Sequence, residues 1–576
     1  MSESRANKRQ GGLALLALGG LGSAALLILA FPPTEAGALA WVALVPLLVA
    51  LRARPGKSGW LVLWLAGFGF GTGGFFWARH VVWYVPAPLG LYVSFYFLLF
   101  CAAVRWLGFE KGFPFAVAAP LTWTALEVIR SVFLTGLPWL FLAHTQYKAL
   151  PVVQMAELTG AAGVTFLLAA VNGLLADVIL RFPKGRAPTR RLPALAAGAG
   201  VVLLAAGALW YGFARLRSVE VAEGPRVAAV QGNIPQSVKK EWTEESVEAM
   251  FETYLELTRR ALAHDPPPDL ILWPETMAPP GVFDRRLQEL RGDWLRRHTA
   301  TRRTERWRAI REDYRKHERR LARLRRLQER ATLVISANSC PDPANPDACH
   351  NSAFLLPEGE GRGPERRYDK IHLVPFGEYV PLRWLLGWAI GPLVPYDLSP
   401  GDEHRVFEID GWTFAPTICF EDAFPGLVAD FAREHGRVDC IVNLTNEGWF
   451  KDGAELDQHL AIAVFRAVEC RAGFIRAANT GISAFIEPTG RIRKRLVVDG
   501  RDREVAGVLH GVATTSRGGS AYLAAGEWFG TICTVAWFFC LVAAGFGRIR
   551  NCLNIRWGRH SCLPGGGQEC PPHLLR

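Results

Sequence analysis

A series of apolar runs fills the first third of this chain and constrains its fold more than any other feature. Between residues 11 and 215 the runs fall at about 11–31, 38–51, 59–78, 89–108, 114–135, 160–180 and 193–214, and an eighth lies at about 526–547. A helix needs roughly 20 apolar residues to cross the ~30 Å of hydrocarbon in a bilayer. The runs therefore predict a multi-span helical membrane bundle. The second run is the shortest. The first follows Arg5, Lys8 and Arg9, as the core of a signal peptide does, but its length and the spans behind it favour a retained anchor. Half of all residues are hydrophobic and 20 are Trp, which suits a chain that is part membrane and part soluble.

Loop charges set the orientation of such a bundle. With the N-terminus in the cytoplasm, the inner loops hold Arg52, Arg54 and Lys57, then Arg105 and Lys111, then Arg181, Lys184, Arg186, Arg190 and Arg191. The outer loops hold little: Glu35, Arg79 and Lys148. Seven crossings then put everything after about residue 215 outside, and the eighth returns Arg548 and Arg550 to the cytoplasm. Three segments are expected: a membrane domain over 1–217, an extracytoplasmic catalytic domain over 218–520, and a last span with a cytoplasmic tail over 521–576. Within span five, Glu127 and Arg130 share a face at i, i+3 and can pair. Leu137-Pro138-Trp139, in the loop that follows, reads as an interfacial aromatic anchor.

From Arg226 the texture changes. Short apolar runs at Val227–Val230, Leu270–Trp273, Ala331–Ala337, Ala353–Leu356, Phe414–Ile418, Cys440–Leu444 and Ile482–Ile486 read as strands. Helical patterns at Glu244–Ala263 and Gln458–Gly473 lie between them, so the soluble part is an α/β domain. In such folds chemistry collects where loops leave strand ends. Three strand exits carry reactive types: Glu275 after Leu272-Trp273-Pro274, Lys370 in Tyr368-Asp369-Lys370, and Cys419 at the end of its own run. Taken singly they also read as a surface acid, a surface base and a buried small hydrophobe. Together they meet a chemical requirement. A free cysteine near pKa 8.5 is mostly thiol at neutral pH, so a nucleophilic one needs a base to take its proton and a cation to stabilise the negative charge.

Glu275, Lys370 and Cys419, in that order, resemble the Glu-Lys-Cys triad of the nitrilase (carbon-nitrogen hydrolase) superfamily, and more closely its membrane branch, the apolipoprotein N-acyltransferases. Gln231–Gln236, Trp273–Thr276, Val374–Tyr379, Asn446–Phe450 and the runs Phe465–Glu469 and Arg476–Ser483 resemble that branch's motifs. The resemblance spans about residues 10 to 545. It implies an αββα sandwich on the outer face of a bacterial inner membrane. It also implies ping-pong transfer of an acyl chain from a phospholipid, via a Cys419 thioester, to the N-terminal amine of a diacylglyceryl-modified apolipoprotein. Glu275 would be the base. Lys370 and the backbone N–H of Phe420 would form the oxyanion hole. Glu378 would hold Lys370, Glu421 would shape the acceptor side, and Trp449 and Phe450 would line the acyl path. The alternative is a membrane-tethered amidase, against which the spans argue.

Partners expected are membrane lipids and the two lipid substrates, with the chain a monomer. No cofactor or metal is expected, since the eleven cysteines include no CxxC pair and no Cys/His cluster. Cys340 and Cys349 can form a disulfide if their loop faces an oxidising compartment. Two departures from the family stand out. Phe420 stands where Tyr is frequent. Residues 284–330 carry 18 Lys and Arg against 8 Asp and Glu, which is net +10 of the chain's +12. That insertion reads as an amphipathic helix, either resting on anionic head groups or solvated. Nucleic acid is excluded as its partner by the expected location outside the cytoplasm. The tail with Cys552, Cys562 and Cys570 shows no pattern.

Overall fold

The computed structural model describes residues 2–181, 191–241, 243–297, 304–340, 349–359, 366–390 and 397–560. The N-terminal helices are α1 (Ser2–Ala30), α2 (Val45–Ala50), α3 (Lys57–Gly74), α4 (Pro86–Arg105), α5 (Phe115–Val132), α6 (Leu150–Val153), α7 (Ala156–Arg181) and α8 (Arg191–Ser218). Among the described residues, five stretches are long and apolar enough to cross a membrane: Gln10–Ala30, Pro86–Glu110, Phe115–Thr135, Ala156–Arg181 and Leu192–Ser218. Of the eight expected spans, the third (on α3) is not among these five, the eighth falls on the shorter apolar stretch Trp528–Ala544, and the second falls on the shorter Gly37–Ala50, a 3-10 turn followed by α2. At about 1.5 Å per residue it is too short to cross by itself. α3 packs closely on α4 through small residues. A Cβ at Gly67 would lie 2.7 Å from that of Phe97, and one at Gly71 would lie 2.8 Å from that of Val93.

Glu127 and Arg130 are both buried in α5, yet no ion pair joins them among the described residues. Glu127 accepts from Trp123 Nε1 and Leu142 N, both at 2.8 Å, and from Thr165 Oγ1 at 2.7 Å. Arg130 Nη2 donates to Leu140 O at 3.3 Å. The residues thus fasten the 140–142 loop, because its free backbone groups lie closer to each charge than the charges lie to one another.

The α/β part holds two six-stranded sheets. The first contains β1 (Val221–Gln231), β2 (Leu270–Leu272), β3 (Thr332–Ser339), β4 (His350–Leu356) and β5 (Arg366–Asp369). The second contains β6 (Phe407–Ile409), β7 (Trp412–Ile418), β8 (Cys440–Thr445), β9 (Gly473–Ala478), β10 (Ala484–Ile486) and β11 (Ile492–Arg495). β12 (Gly507–Ser516) returns to the first sheet. The strand orders are β12-β1-β2-β3-β4-β5 and β11-β10-β9-β8-β7-β6. β1-β2-β3 and β7-β8-β9 run parallel, and the flanking pairs are antiparallel. Within each sheet the central strands point their C-terminal ends the same way, and the Glu275 carboxylate meets the exit of β8, the neighbour of β7.

Helices α9 (Gln236–Glu241), α10 (Glu244–Leu262), α11 (Arg285–Arg297), α12 (Glu305–Gln328) and α13 (Arg383–Ile390) belong to loops of the first sheet. α14 (Pro425–His435), α15 (Glu455–Cys470), α16 (Ala521–Ala525) and α17 (Trp528–His560) follow strands of the second or lie beyond it. α10 and α12 cover the outer face of the first sheet over their own apolar core, which includes Phe251, Tyr254, Leu324 and Ile335. The second sheet is covered by α14 and α15, whose outer sides meet α7 and α16. Every residue of α15 is buried, because it has a sheet on one side and the bundle on the other.

The basic insertion forms α11 and α12, and residues 298–303 between them lie outside the described residues. α12 runs along α10, where Arg320 and Arg323 pair with Glu244 and Glu248. It belongs to the layer of the sandwich opposite the one that meets the bundle. Cys340 and Cys349 are joined in a disulfide, whereas Cys562 and Cys570 lie outside the described residues.

Candidate active site

Each reactive residue sits where a strand ends. β2 is wholly buried and continues into Trp273, whose indole packs on Tyr254 at 5.2 Å and donates to Thr258 Oγ1 at 2.9 Å. This clamps the chain just before Glu275. The Glu275 carboxylate accepts from Asn351 Nδ2 at 2.7 Å and from the backbone N–H of Asn446, at the exit of β8, at 3.1 Å. It therefore bridges the two sheets.

Lys370 directly follows β5 and is fully buried. Its Nζ lies 2.9 Å from Glu378 Oε2 and 3.4 Å from Glu275 Oε1. Burial alone would lower its pKa, but Glu378 and Glu275 outweigh that and hold the ammonium well above the usual lysine value. Glu378 is itself pinned by Val374 N at 2.8 Å and Asn351 Nδ2 at 3.0 Å. Asn351 thus ties both carboxylates that flank the lysine.

Cys419 directly follows β7 and opens a 3-10 turn, Cys419–Ala423. Its φ is +53°, a left-handed conformation that costs a non-glycine residue on the order of 1–3 kcal/mol unless its surroundings impose it. They do so here. Asn443 Nδ2 donates to Cys419 O at 3.0 Å, and the N–H of Ile418 donates to Glu421 Oε2 at 2.7 Å. Burial and the neighbouring Glu275 carboxylate push the Cys419 thiol well above the ordinary range, while Lys370 pulls the other way.

The supporting residues fall into two groups. Glu421 does not line an open acceptor side. It is fully buried and takes Tyr368 OH (2.8 Å), Ile371 N (2.7 Å), His372 N (3.1 Å) and Ile418 N, so it braces the Cys419 turn against the Lys370 loop. Burial pushes its pKa up to about 7, opposed by Lys370. Phe420 points toward the bundle and stacks on Trp139, with ring centroids 6.0 Å apart and 23° between planes. Trp139 is 3 % exposed, so it is not an interfacial anchor but part of the wall beside the site. Its Nε1 donates to Gln458 Oε1 at 2.7 Å, and Trp77 Nε1 donates to the same oxygen at 3.1 Å. Phe450 meets Trp77 edge-on at 4.8 Å, and Trp449 is 37 % exposed.

Sequence reasoning missed Asn351, Asn446 as a partner of Glu275, Gln458 and Trp77. Asparagine and glutamine carry no charge pattern, and their role depends on contacts between segments far apart in the chain. The Asn446–Phe450 motif was the available signal for Asn446.

Comparison with known proteins agrees with this arrangement over nearly the whole chain. Residues 23–174 match the apolipoprotein N-acyltransferase N-terminal domain, and residues 226–501 match the carbon-nitrogen hydrolase family. The chain is 34 % identical over 542 residues to the apolipoprotein N-acyltransferase of Geobacter metallireducens, covering 91 % of this chain and 94 % of that one. It is 32 % identical to that of Azotobacter vinelandii (88 % and 91 % covered) and 30 % identical to that of Pseudomonas aeruginosa LESB58 (88 % and 92 % covered). A helical membrane bundle joined to a carbon-nitrogen hydrolase sandwich, with this identity across both parts, makes the chain a member of the apolipoprotein N-acyltransferase family.

Proposed function

We propose that this chain moves an acyl chain from a phospholipid, through a Cys419 thioester, to the N-terminal amine of the lipid-modified cysteine of an apolipoprotein. The observation that carries the reading is a fully buried ammonium, Lys370, held between two carboxylates beside a strained cysteine turn. Glu275 takes the thiol proton as sulfur attacks the ester carbonyl. The resulting oxyanion lies between Lys370 Nζ and the N–H of Phe420. Collapse breaks the C–O bond, and the departing alkoxide takes the proton from Glu275 and leaves as lysophospholipid. The acceptor amine then attacks the thioester and gives its proton to Glu275. The C–S bond breaks, and the proton returns to sulfur. The phenyl ring of Phe420 supplies no hydroxyl, so its part is the backbone N–H and the stack on Trp139.

Both substrates are lipids, and moving an acyl chain through water costs about 0.8 kcal/mol per CH₂. A site walled partly by the bundle through Trp139 avoids that cost. α13, which begins five residues after Glu378, exposes Trp384 and Trp388 at 82 % and 85 % and suits contact with acyl chains. The loop charges favour a site on the outer face of the inner membrane.

Membranes incubated with labelled phospholipid are expected to yield a hydroxylamine-sensitive acyl-protein on the wild-type chain and none on Cys419→Ala. No adduct on the wild type, or an undiminished one on the variant, would reject the mechanism.

A further inference from the structure

Behind the Cys419 turn lies a buried charged cluster that none of these proton transfers uses. His459 of α15 is 1 % exposed. Its Nε2 meets Asp422 Oδ1 at 2.6 Å, and its Nδ1 meets Glu447 Oε1 at 2.9 Å and Glu455 Oε1 at 3.3 Å. Arg476 of β9 bonds the same Glu447 oxygen, and its Nη1 lies 3.6 Å from Asp422 Oδ2. Asp422, Glu447, Glu455 and Arg476 are all buried.

The ligand atoms of Glu447, Glu455 and His459 gather within 4.8 Å, and these are residue types that hold metals. The hydrogen bonding argues otherwise. Glu447 Oε1 already receives both Arg476 and His459, and the second ring nitrogen is taken by Asp422. An imidazole with a carboxylate on each nitrogen must donate from both, which only the protonated ring can do. Burial and Arg476 act to lower the pKa of His459, yet Asp422 and Glu447 raise it well above the ordinary histidine value. The ring is therefore a fixed cation that joins two carboxylates.

The two carboxylates belong to the two elements that hold the reacting groups. Asp422 lies in the turn that begins with Cys419 and presents the N–H of Phe420. Glu447 follows Asn446, whose N–H holds Glu275, at the exit of the strand whose Asn443 holds Cys419 O. We propose that His459 is a positioning residue that clamps the nucleophile turn to the β8 exit, so that the Phe420 N–H faces the same point as Lys370 Nζ. The inference rests on the thioester reading above and adds the residue that aligns its oxyanion hole. Misplacing a reacting group by about 1 Å can cost about 10²-fold in rate.

The test separates two reactions of the same sulfur. Alkylation of Cys419 by iodoacetamide needs the thiolate but no oxyanion hole, whereas acylation by phospholipid needs both. The full-length protein in detergent–phospholipid micelles, as wild type, His459→Gln and Asp422→Asn, is assayed for alkylation and for lysophospholipid release. Both variants are expected to keep the alkylation rate within about twofold and the KM for phospholipid near wild type, and to lose about 10- to 100-fold in acylation rate. The double variant should lose no more than the worse single one. Acylation at the wild-type rate in both variants, or equal loss of alkylation and acylation in both, overturns the inference. If the wild type itself forms no acyl-protein, it is the proposed function that fails.

Discussion

Cys419 combines two properties that sequence cannot display: a left-handed backbone and a thiol pushed up by burial and by the Glu275 carboxylate. The residue types were legible, since an acid, a lysine and a cysteine after three apolar runs meet a chemical need. Their electrostatics were not, because they depend on which charges the folding chain brings near the sulfur. A testable consequence follows from the signs. Raising the pKa of an acid means that its anion appears only at higher pH, so Cys419 alkylation should keep rising past about pH 8.5, the midpoint of an ordinary cysteine. Glu275→Gln removes a negative neighbour and should shift that profile to lower pH while abolishing acyl transfer. A wild-type alkylation profile that levels off below 8.5 contradicts the assignment. Glu421 shows the same limit. The family resemblance implied the acceptor side for it, but four donors to its buried carboxylate make it a brace.

Among the elements, α12 and α15 were legible to different degrees. The insertion was legible as an amphipathic helix, and on α12 Leu324 is 1 % exposed in the core it shares with α10. Its charge alone could not say whether its polar side faces lipid or water. That depends on which layer of the sandwich it joins. Leu324→Ala should lower the unfolding free energy by about 2–5 kcal/mol, whereas the exposed Arg319→Ala should change it by less than about 0.5 kcal/mol. Thermal denaturation in detergent, with acyl transfer measured below the transition, checks both, and neither variant should alter the rate of the folded enzyme. α15 was harder to read. Its helical pattern extended in sequence to Gly473, which instead opens β9 after a left-handed Arg471. It is also buried on all sides, so its charged residues face partners rather than water: Asp457 meets Arg503 and Arg466 meets Glu469.

At the scale of the whole molecule, bundle and sandwich interlock at several points. Gln458 accepts from Trp77 and Trp139, Glu469 Oε1 accepts from the N–H of Ala161, and Gln154 Nε2 donates to Thr489 O. The Cys419 turn is thereby backed by a loop of the membrane part. The loop charges predict which side of the membrane this assembly faces. In spheroplasts carrying a Cys419→Ala background, an impermeant maleimide should label a cysteine introduced at the exposed Arg517 and not one at the exposed Arg52. Labelling of Arg52→Cys alone would invert the topology.

The sequence by itself determined the membrane bundle, the α/β class and the placing of Glu275, Lys370 and Cys419 just after strands. These rest on local properties, namely apolar run length, alternation of strands with helices, and residue type at a strand end. Only the tertiary structure decided that Trp139 is a wall of the site, that Glu127 and Arg130 hold a loop rather than each other, and that His459 sits between Asp422 and Glu447. Each of these is a contact between segments separated by 10 to 319 positions. A buried polar group takes whichever partner the packed chain presents, and no local pattern encodes that choice.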